Sequence, residues 1–515
     1  MRPVLLVLAL LLLPAPALAA DGTERFPDGF LWGTAIAGFQ TEMGPHGQDA
    51  DRRSDWWAWT HSGDPRLSKD RPERGPGHWR RYRDDVRLAA RGLGANAYRF
   101  GVEWSRIFPR TTATVANGRL DRAALRALDR LADRKAVAHY RAELRAVRAA
   151  GMEPFLTINH FTLPVWLHDP VAVGRALAGR GGDDPLPELQ RAGWLAEGTV
   201  NEFRKYAAYL AWKLGDLVTY WTPINEPMVV ATYGYANIPG VFAGYFPPGA
   251  FTFRGAVRAV TNMEAANTAA YDAVHRLDRR AKVGLVQNMI AFTPADPASA
   301  ADVAATDHAD HLFNRLFLDA AVKGDVDLDA NGAYTGAERD RHARKADFVG
   351  VNYYFRGRVS ALGGPISQAI PVLDFVPRTG YRGLTDPGGA PCPTTCTEFG
   401  AELYPEGLRQ VLRTAGRYRL PVYVTETGLA DGDDDQRPRF LVDHLREVRK
   451  AIADGVRVRG VFHWSLTDNF EWAAGYTPKF GLYTIRRRAR PSAKVFARIV
   501  RENRVAPALV RRYAP

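Results

Sequence analysis

The sequence predicts a single closed (β/α)8 barrel with long loops on one face. Three observations carry that expectation: short β-rich runs recur along the chain, longer amphipathic stretches separate them, and the runs end in polar or aromatic clusters. The runs fall at 30–34, 95–102, 153–158, 218–223, 282–287, 347–352, 422–425 and 459–464. Strands alternating with helices build a parallel sheet, and eight such units close one barrel. Between them, 201–215 carries Phe203, Tyr206, Ala207, Leu210 and Leu214 at helical spacing, and 405–418 and 436–453 read the same way. The connections 170–198 and 360–398 are long and rich in Gly, Pro and polar residues, as expected of loops that shape a pocket at a barrel mouth.

Residues 1–20 read as a secretory signal peptide: Arg2, the apolar run 4–13, then a small-residue end at Ala19 and Ala20. The apolar run is about half the roughly 20 residues of a spanning helix, so a soluble, extracytoplasmic barrel over 21–515 is expected. The only two cysteines, Cys392 and Cys396, sit four apart and suit a local loop-stapling disulfide better than a metal site. A net charge of +13 raises the question of a nucleic-acid partner. The basic residues are mostly Arg dispersed along the chain, with one dense run at Arg486, Arg487 and Arg488, which argues against it.

Chemistry concentrates where strands end. Thr222-Pro-Ile-Asn-Glu-Pro227 places Asn225 and Glu226 just after the fourth run, and Tyr423-Val-Thr-Glu-Thr-Gly428 places Glu426 after the seventh. In a parallel barrel the carboxyl ends of the strands open onto the active site, so both acids point into one cleft. Two such carboxylates suit glycosidic cleavage: one protonates the leaving oxygen, the other attacks the anomeric carbon or activates water. Arg99, late in the second run, needs a buried acidic partner. Glu426, whose ionised form it would favour, and Glu103 are both candidates.

Sugars offer apolar C–H faces and rings of hydroxyls, so their sites pair aromatic platforms with bidentate polar groups. His463 to Trp472 supplies Trp464, Glu471 and Trp472 after the last run, Asn159-His-Phe-Thr-Leu-Pro164 supplies His160, and Gly38-Phe-Gln-Thr-Glu42 supplies Gln40. No Gly-rich phosphate loop, metal-spaced histidines or nucleophile elbow accompanies them, so no cofactor and no metal are expected.

Taken together these motifs resemble glycoside hydrolase family 1, the β-glucosidase and β-galactosidase family. The resemblance is carried by Phe30-Leu-Trp-Gly-Thr-Ala35 with Gln40, Glu103-Trp-Ser-Arg-Ile-Phe-Pro109, Asn225-Glu-Pro227, Gly350-Val-Asn-Tyr-Tyr354, Thr425-Glu426 and His463 to Trp472. Asp55-Trp-Trp-Ala-Trp59, Gly75-Pro-Gly-His-Trp79 and Leu167-His-Asp-Pro170 are similar to the branch that includes archaeal β-glycosidases. The resemblance implies a retaining double displacement with Glu226 as acid/base and Glu426 as nucleophile. It also implies that Gln40, His160, Asn225, Glu471 and Trp472 bind the terminal sugar, that Trp464 stacks under it, and that Arg99 and Tyr354 support the nucleophile.

Glu471 implies an unphosphorylated glycoside, since members that cleave 6-phosphosugars carry a small hydroxyl residue there. Thr427 departs from the Asn usual after the nucleophile, and Asn159 and Phe161 depart from the aromatic residues common beside the rim histidine. The expected partner is a small or oligomeric β-glycoside. Transglycosylation and a non-catalytic sugar-binding barrel are the competing readings, and the oligomeric state is left open.

Overall fold

The computed structural model describes residues 24–236, 245–332, 334, 339–363, 373–384 and 386–514. The leader expected at 1–20 lies outside the described residues. Eight strands form the closed parallel barrel: β1 Leu31–Ala35, β2 Ala97–Gly101, β3 Glu153–Asn159, β4 Tyr220–Ile224, β5 Lys282–Asn288, β6 Phe348–Tyr353, β7 Val422–Thr427 and β8 Val458–Trp464. Each pairs with its neighbours in chain order, and β8 closes onto β1 through Gly460 opposite Leu31 and Trp464 opposite Ala35. The helices anticipated between strands are present as Gly198–Leu214, Pro405–Gly416 and Arg437–Ala453.

Two connections hold more structure than expected. Within 170–198 a helix runs over Pro170–Leu177, because Asp169 accepts a hydrogen bond from the Ala172 amide at 3.1 Å and Pro170 occupies the first turn. Within 360–398, Phe375–Arg378 pairs antiparallel with Arg356–Ala361, which in turn pairs with Ala291–Pro294 in a small sheet outside the barrel. Cys392 and Cys396 are joined in a disulfide in this same connection.

Inward-facing aromatic rings fill the lower barrel. Phe155 stacks on Tyr220 at 4.2 Å between centroids and meets Phe462 at 4.7 Å, with Phe348 and Tyr423 completing the layer. Their size is matched by glycines on neighbouring strands: a Cβ at Gly33 would lie 2.4 Å from Phe462, and one at Gly284 would lie 2.2 Å from Phe348. A packed floor of this kind leaves the polar residues at the carboxyl ends of the strands to form the pocket above it.

Candidate active site

Glu226 stands two residues past the end of β4. Its backbone is held by Asn225 N–H to the Asn159 carbonyl and Glu226 N–H to the Val286 carbonyl, both 2.9 Å, which ties the motif to β3 and β5. Glu226 itself sits at φ +50° and ψ +59°, a left-handed conformation unusual for a residue with a Cβ, before the helix Pro227–Tyr235 begins. Backbone strain of this sort persists where surrounding structure imposes it, and it clusters at functional sites. The turn sends the carboxyl into the barrel mouth, where Glu226 is buried. Its Oε1 accepts from Asn352 Nδ2 at 2.7 Å and Asn288 Nδ2 at 3.3 Å. Burial, then the nearby charge of Glu426, pushes its pKa up to about 8, so it keeps its proton at neutral pH.

Glu426 has the opposite surroundings. It lies inside β7, past a register shift between Val424 and Glu426 that carries the strand through to Thr427. Arg99 Nη1 donates to its Oε1 in a fully buried ion pair, and Tyr354 donates to its Oε2 at 2.5 Å. Arg99 thus pairs with Glu426 and not with Glu103. Burial and the charge of Glu426 hold the Tyr354 phenol well above its ordinary value, so it remains a donor. Arg99 Nη2 also donates to Asn225 Oδ1 at 2.6 Å, and Asn352 Nδ2 reaches the same oxygen at 3.1 Å. One network therefore links the two carboxylates while giving them different partners.

The remaining candidates adjoin the same network. Gln40 Nε2 donates to the Phe470 carbonyl at 2.9 Å and Asn469 Oδ1 at 3.1 Å, and it reaches Glu471 Oε2 at 3.5 Å. Burial and Glu426 raise Glu471 to about 8, while hydrogen bonds from Trp464 and Gln40 act against that rise. His160 Nε2 lies 3.3 Å from Asn225 Nδ2, and its ring lies nearly parallel to both Trp464 and Trp472, 5.8 and 5.9 Å away. Burial and Arg99 depress the His160 pKa well below 6.5, so the imidazole is neutral. His160 Nδ1 and Gln40 Oε1 are buried with no protein hydrogen bond, as expected of groups reserved for a ligand.

The fold brings together every site residue anticipated from the sequence. It adds Asn352 and Asn288, the two amides on Glu226. Asn352 stands in Gly350-Val-Asn-Tyr-Tyr354, and a polar residue at a barrel strand end was its available signal. Asn288 lies one residue beyond the apolar run that marked β5. Thr427, the departure beside the nucleophile, is buried and its hydroxyl has no hydrogen-bond partner.

Comparison with known proteins gives a consistent picture. The chain matches the family model "Glycosyl hydrolase family 1" over residues 22–174 and 183–505. It is 37% identical to a β-galactosidase of Pyrococcus woesei, over 93% of this chain and 98% of that protein. It is 30% identical to β-glucosidase A of Thermotoga maritima, over 93% and 98% respectively. Among solved structures, the β-glycosidase of Thermosphaera aggregans superposes with a TM-score of 0.81 at 37% identity, covering 95% of this chain and 99% of that one.

Proposed function

The chain belongs to glycosyl hydrolase family 1 and is a β-glycosidase, and on that premise we propose that it hydrolyses terminal, unphosphorylated β-D-glycosyl residues by double displacement outside the cytoplasm. β-Glucosides are the preferred substrates in this reading, with β-galactosides and β-fucosides also accepted. The observation that carries the mechanism is the unequal setting of the two carboxyls: Glu426 is paired with Arg99 and Tyr354, whereas Glu226 meets only amides and is pushed up to about 8.

In the first step the Glu426 carboxylate attacks the anomeric carbon as Glu226 gives its proton to the departing glycosidic oxygen. The C–O bond breaks and a glycosyl ester forms on Glu426. Esterification removes the charge on Glu426, the second cause of the high Glu226 pKa, so Glu226 is now more acidic and remains ionised. In the second step the Glu226 carboxylate takes a proton from water, whose oxygen attacks the anomeric carbon and releases Glu426 with retention overall. Gln40, His160, Asn225, Glu471 and Trp472 hold the sugar hydroxyls and Trp464 supports its apolar face. Glu471 offers a 6-phosphate no positive charge, and its ionised form above pH about 8 would repel one.

The test is a panel of p-nitrophenyl β-glycosides with the anomeric product followed by NMR. Retention and activity on the glucoside are expected. Inversion, or an E426Q variant as active as wild type, would overturn the mechanism. Export is tested separately by N-terminal sequencing of protein recovered outside the cytoplasm. A start at residue 20 or 21 is expected, and an intact leader would refute it.

A further inference from the structure

Glu103 is a buried carboxyl that the reaction does not use, and its contacts lie between the two loops that carry sugar-binding side chains. It lies two residues beyond β2, at the N-cap position of the helical turn Trp104–Ile107, and is 2% exposed. One oxygen, Oε1, accepts from the Phe39 amide at 2.8 Å, in the single helical turn Gly38–Thr41 that presents Gln40. The other, Oε2, accepts from the Thr162 hydroxyl at 2.6 Å, two residues beyond His160. The approach to the first turn is close enough that a Cβ at Gly38 would lie 2.6 Å from Oε1. From below, the Glu103 amide donates to the Tyr140 hydroxyl at 3.1 Å, and Tyr140 donates to Glu42 at 2.7 Å, so the carboxyl stands on a fixed base.

We propose that Glu103 is a positioning residue: its one carboxyl fixes the Gln40 turn and the His160 loop relative to each other, and so sets the geometry of the terminal-sugar site.

The His160 loop has a particular need of such an anchor. Phe161 adopts φ +73°, the left-handed region that is strained for a residue with a side chain. The loop is closed by Thr162 N–H to the His160 carbonyl at 3.0 Å and by Asn159 Nδ2 to the Thr162 carbonyl at 2.8 Å. These bonds are internal to the loop, whereas Glu103 is the contact that ties Thr162 to the Gln40 side of the pocket. The apolar neighbours converge as well, since Phe39 and Phe161 both pack on Trp472, at 6.2 and 5.0 Å. Burial and the neighbouring Glu42 and Asp51 raise the Glu103 pKa to about 8, which suits a hydrogen-bonding clamp better than an ion-pair partner.

The inference rests on the β-glycosidase reading, and a double-mutant cycle tests it on kcat/KM for p-nitrophenyl β-glucoside. E103A is expected to lower kcat/KM about 10- to 100-fold, the scale of a misplaced binding group. E103Q keeps an acceptor for Phe39 and can donate to Thr162, so it should stay within about threefold of wild type. Once the anchor is gone Gln40 has lost its contribution, so E103A combined with Q40A should fall short of the product of the single losses by at least about threefold. Losses that multiply in full, or an E103Q as damaged as E103A, would overturn the proposal. If E103A does not fold, T162V removes half of the clamp, and its cycle with H160A decides by the same criterion. A wild-type protein that cleaves no β-glycoside overturns the underlying reading; an active wild type with independent losses overturns this proposal alone.

Discussion

Replacing Glu226 by glutamine removes the transferable proton while keeping a side chain of the same shape for Asn352 and Asn288 to hold. In the wild-type protein a pKa of about 8 leaves roughly nine-tenths of molecules protonated at pH 7 and about one-tenth at pH 9. The alkaline limb of kcat/KM should therefore bend near pH 8 and fall about tenfold per further unit. The sign follows from the role: the first step needs the acid form, so activity is present below the bend and lost above it. General-acid assistance is worth about 10²–10⁴-fold, and it matters in proportion to how badly the leaving group needs a proton. The E226Q variant should thus lose about that much on an alkyl β-glucoside, far less on 2,4-dinitrophenyl β-glucoside, and the bend near pH 8 should shrink to what Glu471 contributes. The assay is kcat/KM from pH 5 to 10 on both substrates, because that parameter reports the first step and is blind to slow deglycosylation. Equal losses on the two substrates would refute the assignment.

Other substitutions probe the surroundings of the two carboxyls. Arg99→Met leaves Glu426 buried without its cation, and breaking such a pair is expected to cost about 3–5 kcal/mol in denaturant unfolding as well as most of the activity; a variant as stable as wild type would contradict the buried pairing. Asn352→Ala removes the shorter hydrogen bond that favours ionised Glu226, so the alkaline limb should move to higher pH, and a shift downward would reverse the argument. Glu42 at about 7 and Glu103, Glu226 and Glu471 at about 8 all lie above their ordinary 4.5, so the native state binds more protons than the unfolded chain between these values. Their contribution to stability is full below about 4.5 and is lost as pH rises through 7–8. Buried neutral histidines such as His160, His444 and His463 oppose this trend up to about pH 6.5, so calorimetric melting temperatures should fall from pH 6.5 to pH 8, and a rise over that range would refute the protonation states.

The eight strands were legible because their apolar runs are separated by helical stretches, and each run falls on a barrel strand. The ends were less so, for a physical reason. Asn288 and Glu426 extend their strands past the last apolar residue, because at the carboxyl end of a barrel strand the inward position faces a polar pocket and not a core. At the other end Val218 and Ala95 are apolar and buried yet lie outside the barrel strands, since burial marks packing and not pairing. The helix at Pro170–Leu177 had a readable signal, the Asp169 cap and Pro170, which the surrounding glycines obscured.

Most candidate site residues could be named from the sequence because they stand in compact motifs at strand ends, and Tyr354 only through the resemblance those motifs carry. The partners of Arg99 were not readable, since Glu103 lies four residues away in sequence and Glu426 lies 327 away, and only barrel closure brings the second into contact. The clamp made by Glu103 was hidden for the same reason: its partners Phe39 and Thr162 are 64 and 59 residues distant, and each donates through a group that carries no distinctive sequence signal.

The layer of Phe155, Tyr220, Phe348, Tyr423 and Phe462 has a consequence for traffic. A barrel stoppered by these rings has a single mouth, so whatever enters must leave by the way it came. A glycan chain cannot thread past the floor, and in the reading proposed above it presents its terminal residue to the pocket. The departing aglycone clears the entrance before water arrives, and the released monosaccharide must vacate the same passage before the next chain end can bind. In that reading, accumulated product competes directly with substrate for the one doorway.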